Sequence, residues 1–592
     1  MNNDTRNTIV FTACAVVLFL LYQVFVLQPI MKKREAEQKA HIAAAASVQA
    51  NVAPPGSAIF VSREQALAGS PRVPVDTPAL KGSIALKGGR IDDLFLKDYR
   101  ETLAKNSPPV ELLRPEGAKD AYFSDSGWTG PIQAPGPLTV WTQTSQGPLS
   151  PGHPVTMTWD NGQGLIFTRT IAVDDRYMFT VTNAVANKGA APVQLAPYAS
   201  VQRQGSPTLT PNWLVNEGAV GSLNGILKQI AFKNWKKNGD QSGPTTGGYM
   251  GITDKYWLAA VVPDQREAVR GEFKVSSVNG ADVYEADYVG QPRTLAPGAQ
   301  TVETTHVFAG AKKVSILQDY QKALAIPHFD DAVDWGWLWF LTRPMFFVLE
   351  VFFHLFGNFG LAILGLTVVV KALMFPLANK SYESMSKMKK LQPEIEGIKK
   401  RFPDDAMKQQ QETMALYQKE RINPLAGCIT MLPTIPVFYS LYTVLTVTLE
   451  MRQAPFFGWI HDLSAPDPTT FVNLFGLIPW NPGATPMIGG ILDGPLHLGV
   501  WPLAYGFVMW LNTVMTPQQG VDPTQKLMMQ VMPLMFVFIM GRYASGLLIY
   551  WTWSTFLSIL QQYLIMHRYK AENPIDGFFA RITGKAPAAA KG

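Results

Sequence analysis

Several long stretches of this chain carry almost no charge, and they decide what it can fold into. A bilayer crossing needs about 20 mostly apolar residues. Residues 8–27, 427–449 and 498–516 contain no charged side chain, and residues 357–378 contain one, Lys371. Residues 527–566 hold a single charge, Arg542, and are too long for one crossing. Split at Arg542 to Gly546, they read as a hairpin of two spans. Its first arm, residues 527–541, is short enough to predict a locally thinned bilayer. Six spans result. Charged residues make up 16% of the 592, against about 25% in soluble proteins.

The run at 8–27 exceeds the apolar core of a secretory signal, and Gln28-Pro29-Ile30 lacks a small-residue cleavage pattern. It reads as a retained anchor. Two cysteines, Cys14 and Cys428, exclude a disulfide framework. A net charge of only +6 argues against a nucleic-acid binder. No zinc-ligand spacing, P-loop or dinucleotide fingerprint is present. Neither metal nor cofactor is expected.

Orientation follows from Lys and Arg in short loops. Residues 380–426 carry ten of them, whereas residues 450–497 carry only Arg452. The first loop is therefore expected in the cytoplasm and the second outside. With six spans both termini are cytoplasmic. The triplet Lys32-Lys33-Arg34 disagrees, but it conflicts with every later span.

These features divide the chain into an anchor (1–34), an Ala-rich linker (35–57) and a large β-domain (58–332). An interfacial amphipathic helix (333–356) and the second span (357–378) follow. A cytoplasmic helical hairpin (379–426), four further spans with their loops (427–566) and a tail (567–592) complete it. In the β-domain, β-rich runs such as 168–173 and 177–185 alternate with Asn187-Lys188-Gly189 and Asn279-Gly280. That texture predicts an antiparallel β-sandwich. In 333–356, Arg343 and Glu350 share one helical face amid Trp and Phe, which suits the headgroup plane. In the hairpin, apolar residues recur at spacings of three or four from Tyr382 to Phe402, then again after Pro403-Asp404-Asp405.

Lys371 is the informative membrane residue. It stands seven residues from the cytoplasmic end of its span, about 10 Å deep at 1.5 Å per residue. A central lysine costs about 2.5–3.5 kcal/mol on insertion scales. It could snorkel to the cytoplasmic headgroups. Yet the spans contain no acid to pair with it, and a water-filled cavity open to the cytoplasm would keep it charged. Thr367 lies one turn away. Ser554, Ser558 and Gln561 or Gln562 fall at helical spacing in the last span. Ser440, Thr443 and Asn512 could join them. Proton- or sodium-coupled transporters place acids at depth, and none is here. No catalytic constellation stands out, so an enzyme is not expected. An uncoupled facilitator that lowers a barrier fits better.

At this point the chain resembles the YidC family of membrane protein insertases. The resemblance rests on Val333-Asp334-Trp335-Gly336-Trp337-Leu338-Trp339-Phe340, Ser384-Met385-Ser386-Lys387-Met388 and Leu391-Gln392-Pro393. It continues through Asn423-Pro424-Leu425-Ala426-Gly427-Cys428 and Arg452-Gln453-Ala454-Pro455-Phe456. Trp459-Ile460-His461-Asp462-Leu463-Ser464 and Ser545-Gly546-Leu547 complete it. It implies a polytopic α-helical protein of the inner membrane, with a five-helix insertase core and a periplasmic β-supersandwich similar to sugar mutarotases. It also implies a positively charged groove open to cytoplasm and lipid. There Lys371 stands at the family's usual arginine, Thr367, Tyr550 and Trp551 line the client's path, and Gln561 and Gln562 are polar groove positions. Implied partners are nascent membrane-protein clients, membrane lipids, the ribosome, the Sec translocon with its accessory subunits, and the signal-recognition-particle receptor. The chain departs from the family at Lys371, at Ala544 where relatives often have proline, and in a long insertion near 471–497.

Two other readings compete. A solute transporter or channel predicts substrate-dependent flux. A membrane-anchored sugar-binding protein predicts a carboxylate-lined cleft in the β-domain. Of the acids there, Asp174-Asp175 and Glu303 read more simply as solvated turns and strand edges.

Overall fold

The computed structural model describes residues 60–205, 215–278, 280–403, 405–420, 422, 431–480, 482–485, 488–492, 496–515, 523–568 and 575–576. The expected anchor (1–34) and the whole 35–57 linker lie outside the described residues, as does most of the expected tail from 567.

Alternating apolar and polar residues build the β-domain. Leu165–Val173 reads buried and half-buried in strict alternation, and pairs antiparallel with Met178–Asn187. Ala268–Val278 and Ala281–Gly290 pair antiparallel, and Gly280, just before the second strand, takes φ 81. Glycine meets that left-handed demand of a two-residue hairpin loop without steric cost. Two antiparallel sheets of ten and nine strands result. Their inner faces share one apolar core with Phe167, Phe179, Phe273 and Phe308 in it.

No cysteine pair bolts the sheets together; polar side chains do. Arg169, from the nine-stranded sheet, is 3% exposed. Its guanidinium donates to Asn183 Oδ1 at 2.7 Å, to the Gly89 carbonyl at 2.6 Å and to the Ser126 carbonyl of the other sheet. The Trp141 ring faces it at 4.9 Å. Burial holds its pKa below the usual guanidinium value. Tyr288 Oη and Thr305 Oγ1 make a second cross-sheet bond at 2.6 Å.

Glu303 corrects a sequence expectation. It lies in Gln300–Ala311, an interior strand, is 5% exposed and accepts from Arg293 at 2.7 Å. Alternation alone did not reveal that its partner, Arg293, comes from a strand of the other sheet, Arg293–Leu295. Asp174 does sit at a turn, but it also accepts from the Tyr320 hydroxyl at 2.5 Å and so ties down helix α1 (Val314–Ala323).

After α1 the chain enters the apolar helices: α2 (Trp339–Phe356), α3 (Phe359–Lys390), α4 (Gln392–Arg401), α5 (Ala406–Lys419) and α6 (Met431–Val447). After the loop come α7 (Val500–Met515), α8 (Pro523–Met540) and α9 (Ser545–Arg568). Within them, Trp339–Phe356 and Phe359–Met388 are long and apolar enough to cross a membrane. The apolar stretches of α6, α7 and α8 are shorter. Gly357 (φ 66) breaks α2 from α3. At Gly360 a Cβ would meet the Phe456 ring at 1.9 Å, so glycine permits that close packing.

The helix α3 extends twelve residues past the expected exit at 378, to Lys390. Pro376 sits inside it without ending it. Arg401 is the last residue of α4, and Asp405 caps α5 by accepting from the Lys408 amide at 3.0 Å. That acid gives two helices where the sequence predicts a hairpin. Residues 541–544 separate α8 from α9; both pack on α7, and α9 also packs on α3.

Candidate functional site

Two helices position the site. Lys371, half-buried on α3, donates from Nζ to Ser558 Oγ of α9 at 2.6 Å. Ser558 Oγ donates in turn to the Ser554 carbonyl at 3.0 Å, as serine often does inside a helix. Tyr382, about three turns further along α3, is half-buried. Tyr550 is 4% exposed and stands one turn before Ser554 on α9. The result is a polar ladder on one stripe of α9, facing a lone cation.

The energetics are close to balanced. A hydrogen bond to a charged group contributes about 1.5–3 kcal/mol. That offsets most of the roughly 2.5–3.5 kcal/mol a central lysine costs. Among the described residues no carboxylate pairs with Lys371. The ammonium is held in place without being neutralised, so its charge is free to act on a passing anion.

Trp551, the next residue on α9, belongs to an aromatic layer. Its ring stacks on Phe438 (4.9 Å between centroids) and Tyr505 (5.7 Å), and meets Tyr543 at 5.6 Å. Sequence reading missed Phe438, Tyr505, Tyr543 and Tyr382. Aromatic residues inside apolar runs look like ordinary core, and only the convergence of α6, α7 and α9 marks these.

Other candidates are placed differently. Thr367 is 1% exposed, and its hydroxyl donates back to the Ile363 carbonyl at 2.6 Å. Gln562 is 2% exposed and donates to the Met515 carbonyl at 2.9 Å, pinning α9 to the end of α7. The Gln561 amide nitrogen is buried without a hydrogen-bond partner among the described residues, as is the Ser440 hydroxyl. Thr443 donates to its own helix at Tyr439.

The end of this helix group at which α7 and α9 start is plugged by the loop that follows α6. Asp462 Oδ1 accepts from Ser464 N (2.8 Å), Ser464 Oγ (2.7 Å) and Gln453 N (3.1 Å). The amides of Ser545 and Gly546, which start α9, donate to the carbonyls of Ala465 (2.7 Å) and Leu463 (2.9 Å). Asp467, fully buried, accepts from Trp459 Nε1, from Thr469 and from the Trp501 amide at the start of α7. A carboxylate at a helix N-terminus is favourable. At Gly499 a Cβ would meet Asp467 Cγ at 2.5 Å, so glycine lets the carboxylate reach that cap.

The same loop docks the β-domain. Arg452 Nη2 donates to the carbonyls of Arg100 (2.5 Å) and Glu101 (3.2 Å), and its guanidinium lies 5.4 Å from the Trp257 ring. Gln453 Nε2 donates to the Arg100 carbonyl at 3.2 Å. Glu450 Oε1 accepts from the Val314 amide at 3.3 Å. Burial pushes the Glu450 carboxyl up to about 7. On the other side Arg343 of α2 pairs with Asp330 (3.3 Å) and Asp331.

The β-domain does contain a carboxylate-lined cleft of about 380 Å³, among Trp128, Tyr198, Glu285 and Asp287. Lys274 occupies those acids at 3.2 Å (Glu285) and 2.8 Å (Asp287). Burial raises Asp287 to about 6.

Comparison with known proteins agrees across both halves. The family model for the YidC periplasmic domain matches residues 72–348, and that of the 60Kd inner membrane protein matches residues 351–572. The membrane protein insertase YidC of Caulobacter vibrioides (strain NA1000 / CB15N) is 54% identical, covering 100% of each chain. That of Caulobacter sp. (strain K31) is 53% identical, covering 99% of each. A crystal structure of an active YidC insertase is 17% identical, covers 83% of this chain and 92% of its own, and superposes with a TM-score of 0.36. On the full-length identity to curated relatives and the two family matches, the chain belongs to the YidC family of membrane protein insertases.

Proposed function

We propose that this insertase, an inner-membrane protein with a periplasmic domain, receives a client's hydrophilic tail against Lys371. The hydrogen bond from Lys371 to Ser558 carries the reading, because it fixes an unneutralised cation on a polar ladder inside apolar helices. A tail entering from the cytoplasm meets Lys371, Ser558 and Ser554 in place of hydrocarbon, and the apolar segment behind it partitions sideways into lipid. That partition is the driving force. The step makes and breaks no covalent bond.

The proposal includes six spans with both termini in the cytoplasm. The basic hairpin of α4 and α5 then faces the ribosome, the signal-recognition-particle receptor or anionic headgroups. The protein works alone or beside the Sec translocon. Trp551 and its aromatic neighbours line the client's path. Gln562 serves helix packing, since its amide is spent on Met515.

Photo-crosslinking tests this. A photoreactive residue placed at Ser554 or Trp551 should capture the tail of a stalled client, whereas one at Gln562 should not. Equal capture at Gln562, or none at Ser554 and Trp551 from a client that still inserts, would contradict the groove.

A further inference from the structure

We infer that the loop between α6 and α7, at its described residues 468–480, 482–485 and 488–492, is an interfacial foot that seats in the headgroup–acyl boundary of the outer leaflet. The inference rests on the topology proposed above, which puts this loop outside. These residues contain no Asp, Glu, Lys, Arg or His. They nevertheless leave large apolar side chains uncovered: Leu474 is 54% exposed, Leu477 83%, Ile478 44% and Trp480 41%. A soluble surface seldom shows so contiguous an apolar patch. Electrostatic steering toward a protein partner has no charge to act through in these residues. Uncharged aliphatic residues with tryptophan are what the interfacial layer accepts.

The backbone is built for that layer too, because polar groups near hydrocarbon must be satisfied internally. The Phe475 amide donates to the Thr470 carbonyl at 2.7 Å and the Ile478 amide to the Asn473 carbonyl at 3.1 Å. Asn473 accepts from the Gly476 amide at 2.9 Å and donates to the Trp480 carbonyl at 3.1 Å. Leu474 and Phe475 take left-handed φ of 50 and 58. Non-glycine residues seldom adopt such conformations, and here they leave both side chains exposed.

The foot is fixed at membrane level. The Phe471 amide donates to the Leu498 carbonyl at 3.0 Å, and Thr469 Oγ1 accepts from the Val500 amide at 3.0 Å, at the start of α7. From there α7 carries an exposed apolar row, Leu503, Phe507 and Trp510, at helical spacing. The uncovered surface of the foot thus continues the lipid-facing surface of a span.

The test uses the full chain with Cys14→Ala and Cys428→Ala, one molecule per lipid nanodisc, and an environment-sensitive fluorophore on Leu477→Cys. Ile488→Cys gives a second label, and Leu138→Cys in the periplasmic domain a reference. Nitroxide lipids labelled near the headgroup should remove more than about half of the signal at both loop sites and almost none at Leu138. Aqueous iodide should do the reverse. Iodide quenching at both loop sites equal to that at Leu138, without nitroxide quenching, would overturn the foot. So would shielding without nitroxide quenching that appears only with two molecules per disc, since a second copy would then cover the loop. In sealed proteoliposomes dithionite should reach labels 477 and 138 from the same side. Opposite sides would defeat the topology while leaving the nitroxide result to stand on its own.

Discussion

A buried cation, Arg169, and a half-buried one, Lys371, are stabilised in different ways. Arg169 satisfies its fork on fixed acceptors, Asn183 Oδ1 and the carbonyls of Gly89 and Ser126, and so joins two sheets. Removing it strands those acceptors in the core. Arg169→Ala should therefore destabilise the periplasmic domain by about 3 kcal/mol, read as a lower denaturation midpoint of the intact protein. A loss under about 0.5 kcal/mol would mean water replaces the guanidinium. Among the described residues Lys371 has one hydrogen-bond partner, the neutral Ser558, and no carboxylate. The difference was only half legible in the sequence. A lysine in an acid-free span announces itself. An arginine in a β-rich segment does not, because nothing local shows that Ser126, 43 residues away, lies opposite.

At the level of elements, the loop 449–467 joins three bodies: the periplasmic domain, the start of α7 and the start of α9. Glu450 is its titratable part, facing Lys313, Glu350, Arg452 and Tyr99. Its carboxyl is raised by burial from 4.5 to about 7. The neutral form favours docking, so this contribution is whole below about pH 4.5 and is lost as pH rises through 7. The shift is worth about 3 kcal/mol at most. Hydrogen exchange at Val314, corrected for intrinsic rate, should quicken between pH 5 and 8 in the native protein. Glu450→Gln should flatten that rise; an unchanged rise would place the titration elsewhere. The hairpin permits a cleaner separation. Replacing residues 392–419 by a flexible linker should abolish client insertion while leaving the Lys371–Ser558 contact and thermal stability nearly intact. Normal insertion would remove α4 and α5 from the account. Helix periodicity and Asp405 made this hairpin readable in sequence. The extent of α3 was not readable, because Pro376 and the polar residues after it suggest an exit that packing of Ser381 and Ser386, both buried, overrides.

Across the whole molecule, the proposed topology lines up a plugged outer end, a cation on a polar ladder and a basic hairpin facing the cytoplasm. The membrane potential adds about 2.3 kcal/mol per charge per 100 mV, favouring outward passage of acidic tails. The β-domain was legible from alternation, and the apolar helices α3 and α6–α9 from charge-free runs. The aromatic layer around Trp551 was not, since it exists only where α6, α7 and α9 meet. The most direct test reconstitutes the purified protein alone into liposomes with a short client bearing an acidic outer tail, and scores protease-protected insertion. Insertion should require the protein and fall about tenfold in Lys371→Ala, the effect of roughly 1.4 kcal/mol of lost attraction, while Lys371→Arg keeps most of it. Insertion equal in Lys371→Ala and the native protein would contradict the account and return Lys371 to a snorkelling role.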